Sequence, residues 1–102
     1  MFRVQPRVLL GDVAASLMDL SVGGAQVFAP CVFPIDGRFP LVLRDHTGPL
    51  YLPAIVVWTR RDDVLDPDSP YFVGLCFEDF VTHAAAVQAF MTRHPSAASQ
   101  EN

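Results

Sequence analysis

A chain of 102 residues with net charge −4 and a pI near 5.0 has room for one domain and one modest core. Hydrophobic residues make up 51% and mean hydropathy is +0.30, which excludes a disordered chain, while the acidic balance argues against a general nucleic-acid binder. No apolar run reaches the ~18 residues of a membrane span, and the start MFRVQPRVLL is broken by Arg3, Gln5, Pro6 and Arg7, unlike a secretory signal; a cytoplasmic protein without membrane insertion is expected.

In chain order, residues 2–10 (FRVQPRVLL) partly alternate and end at Gly11-Asp12, a dipeptide suited to a two-residue hairpin turn. Residues 13–20 (VAASLMDL) follow, then Gly23-Gly24 and AQVFAP. FPLVLR (39–44) predicts a strand starting near Pro40, and His46-Thr47-Gly48-Pro49 the next turn. LYLPAIVVWTR (50–60) is the longest run, rich in β-branched and aromatic residues, and Pro53 inside it implies an edge or a bulge. RDDVLDPDSP is a polar loop whose acids Asp62, Asp63, Asp66 and Asp68 lack the pattern of a calcium loop. YFVGLCF (71–77) is a last strand.

Helical signals come only at the end. Thr82 is an N-cap candidate for HAAAVQAFMTRH, with Val87, Phe90 and Met91 on one face, Arg93 and His94 at its C-terminal end and Pro95 as the stop. Many short strands followed by one helix predict a mainly β domain over 1–94, a small antiparallel barrel or sandwich with the helix over one opening; 95–102 is expected to be a disordered tail. Cys31 and Cys76 sit in apolar stretches without metal or redox spacing, so buried reduced thiols are expected.

Two clusters carry possible chemistry. Asp19-Leu20-Ser21-Val22-Gly23-Gly24 combines a carboxylate able to accept paired N–H donors, a hydroxyl, and bare backbone that a ligand can approach. The same residue types also build a plain turn, with Asp and Ser bonding to nearby backbone. Arg3 and Arg7, four apart, could clamp a phosphate or purine through bidentate, charge-assisted bonds, or could be two solvated edge-strand residues. Trp58 and Phe72 could stack on a base but suit core positions, and Arg60 and Arg61 fit a solvated strand end. The histidines at 46, 83 and 94 suit the surface. No nucleophile lies beside a base and no metal-ligand spacing occurs, so neither an enzyme nor a cofactor is expected.

An N-terminal RxxxR, then DLSVGG, then IVVWTRR and YFVGLCFEDF with a closing helix resembles the PilZ family over residues 3 to about 93. The resemblance implies a six-stranded antiparallel β-barrel with one C-terminal helix that binds cyclic di-GMP and passes the signal to an effector protein. Carried over, Arg3 and Arg7 meet guanine edges and phosphates. Asp19 and Ser21 support the guanine and the sugar-phosphate, and Gly23 and Gly24 complete the set, Gly24 permitting close approach.

Eleven residues separate Arg7 from Asp19, fewer than the family normally has there, and two registers follow. Either Arg3 and Arg7 lie in an arm before a short first strand, or FRVQPRVLL is itself that strand. In the second case Leu10 faces Val13, and strict alternation sets Arg7 beside Ser16 while turning Asp19 and Ser21 to the other face unless a bulge intervenes. The alternative function is a PilZ-like interaction module that binds no nucleotide. It would act in pilus, motility or polysaccharide machinery through an exposed apolar surface, which also leaves room for a homodimer.

Overall fold

The computed structural model describes residues 6–45, 48–62 and 67–93. Arg3, His46, Asp63, Asp66, His94 and the tail 95–102 lie outside that set. Six strands, β1 (Arg7–Leu10), β2 (Val13–Leu20), β3 (Gly24–Ala29), β4 (Arg38–Asp45), β5 (Gly48–Arg61) and β6 (Tyr71–Phe77), precede a helix, α1 (Phe80–Arg93). The strands close an antiparallel barrel in the order β1-β2-β3-β6-β5-β4, as expected from the sequence.

Local chemistry explains most of the wall. Gly11, at φ 60, takes the first position of the two-residue turn that joins β1 to β2, where a left-handed residue matches the strand twist. Pro40 and Pro53 face each other across β4 and β5. Their carbonyls accept from Gly11 N–H at 2.9 Å and Glu78 N–H at 2.8 Å, on opposite outer sides, so this pair needs no ladder bond between its members. Each proline nitrogen points away from the other, past the end of a neighbouring ladder: β1 pairs with β4 at Leu41 and Val42, and β6 with β5 from Ala54 on. Pro53 thus stands in an edge stretch of β5, as expected, and not at a bulge. The bulge in β5 lies instead between Val56 and Trp58.

The interior is an aliphatic cluster filled from every strand, including Leu10, Leu17, Leu41, Leu52, Val56 and Val73, all fully buried. Val87 and Phe90 of α1 join the same cluster. Because the wall is closed, they reach it through an open end of the barrel, and Met91 packs beside them. The helix starts at Phe80 rather than after a Thr82 cap: Asp79 turns the chain at φ 51, and its carbonyl accepts from Thr82 N–H at 3.1 Å. Both cysteines are free, yet both are exposed rather than buried. Cys76 falls between the inward Leu75 and Phe77, so alternation sends it outward, and Cys31 lies just past the end of β3.

Candidate functional site

The Asp19–Gly24 cluster lies on the outer wall where β2, β3, β6 and β5 run side by side. The β1–β2 hairpin pairs Leu10 with Val13 and Arg7 with Ser16, as expected if the N-terminal run enters the sheet. Arg7 is the first residue of β1 and donates to Ser16 Oγ at 3.3 Å.

Strict alternation would then turn Asp19 inward. The structure corrects that expectation with a bulge. Leu17 pairs with Val27 and Asp19 with Gln26, so Met18 is an extra residue on β2. The insertion resets the alternation. Leu17 and Leu20 both stay in the core, while Ser16 and Asp19 share the outer face. The bulge in β5 acts in the same way: Val57 is the extra residue, Val56 stays inside, and Trp58 turns outward opposite Gly74.

Two parallel rows result. One runs Asp19–Gln26–Gly74–Trp58, a backbone span of roughly 14 Å over three strand spacings. The next runs Arg7–Ser16–Phe28–Phe72–Arg60. In it the Phe28 and Phe72 rings stack at 4.5 Å, and Trp58 meets Phe72 edge-on at 5.1 Å. The Arg60 guanidinium lies 5.0 Å from the Phe72 centroid and 5.9 Å from Trp58, within cation–π range. Arg61 is held similarly, 5.5 Å from the Tyr71 ring, and donates to its hydroxyl at 3.1 Å. Trp58 and Phe72 are thus outer-wall residues rather than core. Arg60 and Arg61 are exposed, but they rest on aromatic faces instead of extending freely into water.

A pocket of about 290 Å³ opens along the first row, lined by Asp19, Ser21, Gly23 and Gly24 together with Gln26, Trp58, Gly74 and Cys76. Four of the six sequence-predicted residues therefore converge. Arg7 stands in the adjacent row outside the lining, and Arg3 lies outside the described residues. Sequence reasoning missed Gln26 and Cys76; alternation with the apolar Ala25 and Val27 could have set Gln26 outward, whereas YFVGLCF carries no polar alternation that marks Cys76.

Glycine shapes the pocket. A Cβ on Gly74 would collide with the Trp58 indole, so its absence lets the ring lie across β6. A Cβ on Gly24 would run into the Leu75 carbonyl, whereas one on Gly23 meets nothing within 4 Å. The space beside Gly24 thus belongs to the neighbouring strand, and Gly23 is the glycine whose bare backbone faces open space. Ser21 N–H and Oγ both donate to the Gly24 carbonyl, at 2.9 and 3.3 Å, and Asp19 Oδ1 accepts from Leu20 N–H at 3.0 Å. The cluster is at once a turn and a pocket wall.

Among the described residues, no group of three or more His, Cys, Asp or Glu could hold a metal, and no helix is long and apolar enough to cross a membrane. What the fold and the pocket define is a small closed barrel with a polar, aromatic-sided cleft on its outer wall. The PilZ domain model matches residues 1–91, and the chain belongs to the PilZ domain family, a non-catalytic receptor family that typically binds cyclic di-GMP. Neither the curated proteins nor the solved structures give a significant match to the chain.

Proposed function

We propose that this domain is a cytoplasmic cyclic di-GMP receptor whose ligand lies along the outer wall at the Asp19 pocket and signals to a partner protein. The observation that carries the reading is the β2 bulge at Met18, which sets Asp19 on the face that also holds Arg7 and Ser16. Asp19 supplies acceptors for a guanine edge, Ser21 a hydroxyl for the sugar-phosphate, and Gly23 an unobstructed backbone. Arg7, with Arg3 from the preceding segment, supplies the positive charge that two phosphates need on a chain of net charge −4.

Trp58 is the sole tryptophan and lines the pocket, so its fluorescence reports occupancy directly. Titration calorimetry should give micromolar binding with a parallel change in Trp58 emission. Arg7→Ala and Asp19→Ala should each weaken it about tenfold or more, the loss expected for a charge-assisted contact. A wild-type protein that gives neither heat nor an emission change overturns the proposal. The interaction module without nucleotide would then be the better reading, and the apolar grooves on the opposite wall favour it.

A further inference from the structure

Away from the pocket, the outer wall of β1, β4 and β5 carries a continuous apolar row. Ala14, Leu9, Val42 and Tyr51 are successive cross-strand partners, all facing outward. Two grooves, of about 620 and 380 Å³, flank that row and share Leu9, Val42 and Tyr51 in their linings. Tyr51, 61% exposed, stands between them. The rims carry opposite charges. Asp12 lines the larger groove at the β1–β2 turn, and Arg44 lines the smaller one two residues beyond Val42. Both are exposed, and neither side chain has an ion-pair partner among the described residues.

We propose that this face docks a second copy of the chain in an isologous dimer. An apolar centre with an acid at one end and bases at the other, Arg44 and, two residues before Leu9 on β1, Arg7, is complementary to itself. A two-fold axis lying in the face, between the two ends, brings Arg44 of each copy to Asp12 of the other and buries both Tyr51 rings at the centre. Leu9 and Val42 are each paired on both sides, so at the centre of this row side chains rather than an added strand make the contact. Overall charge points the same way. The chain carries −4, yet Arg44 offsets Asp12 here, so two copies meet on this wall without the like-charge repulsion that other approaches meet. The nucleotide pocket is lined from β2, β3, β6 and the Val57–Trp58 part of β5, shares no lining residue with the two grooves, and stays open in such a dimer.

Sedimentation of the full chain tests the assignment, with Arg44→Asp, Asp12→Arg, their combination and Tyr51→Glu as variants and far-UV circular dichroism as the check on folding. The expected result is a species of twice 11.2 kDa within the concentration range of about 10 μM to 1 mM. Each single charge reversal sets like charges together twice in the dimer and should raise its dissociation constant about tenfold or more. The double reversal should return it to within about threefold of wild type, because the pair is restored with its sign exchanged. Tyr51→Glu should leave only monomer. A wild-type monomer across that range overturns the proposal. So does a dimer indifferent to these changes, or one that the double reversal fails to restore.

Discussion

Gly23 and Gly24 are adjacent and chemically identical, yet they do different things. Gly24 makes room for the Leu75 carbonyl of β6, so Gly24→Ala forces backbone apart. It should cost about 2 kcal/mol and lower Tm by roughly 10 °C in a thermal melt. Gly23→Ala meets open space and should change stability by less than about 0.5 kcal/mol. Its methyl group stands at the pocket, so calorimetry should show weaker cyclic di-GMP binding from a normally folded protein. The two cysteines offer a matched probe. Both are free and exposed, but only Cys76 lines the pocket. Cyclic di-GMP should slow iodoacetamide labelling of Cys76 and leave Cys31 unchanged, as read by peptide mass spectrometry. Equal slowing at both sites, or at neither, would contradict ligand placement in this pocket.

At the scale of elements, α1 holds its place by very few side chains. Val87 and Phe90 are its buried residues and the ones that enter the barrel core. Truncating a fully buried Phe removes a large apolar volume and leaves a cavity, at about 3–5 kcal/mol. A domain of this size has a total stability of about 5–15 kcal/mol, so Phe90→Ala should shift the urea midpoint down by a third or more. Gln88→Ala, at an exposed position on the same helix, is the control and should change little. Among the strands, β2 and β5 share one device. Each carries a bulge, and each bulge turns a side chain of the pocket, Asp19 or Trp58, outward without displacing an aliphatic neighbour from the core.

At the scale of the whole barrel, the closing seam between β1 and β4 is the shortest ladder among the described residues. Among the described residues, β1 meets β4 only at Leu9–Val42 and Leu10–Leu41, whereas β4 and β5 pair continuously from Arg38–Ile55 to Asp45–Gly48. Local opening follows the shortest ladder, so amides bridging β1 and β4 should exchange hydrogen ahead of those in β4–β5 and β5–β6. Arg7 stands on β1, at this seam. A ligand that engages Arg7 on the outer wall should therefore slow exchange at the seam, a response that hydrogen-exchange mass spectrometry resolves strand by strand.

How far the sequence reached follows from the range of the forces involved. Gly11-Asp12 made a hairpin legible because a two-residue turn depends on its own backbone angles. The late helix and its Val87, Phe90 and Met91 face were legible from their spacing, and the PilZ pattern located Asp19, Ser21, Gly23 and Gly24 in one pocket. Position relative to distant strands was another matter. Cys76 and Trp58 lie in stretches apolar enough to suggest burial, yet both belong to the outer wall, because neighbours far along the chain decide which side of a strand is covered. The face of Asp19 could not be reached from β2 alone. Alternation from Arg7 turned it inward, and only the pairing with β3, which leaves Met18 unmatched, turned it out. A bulge is a mismatch between two strands, so neither strand's own sequence contains it.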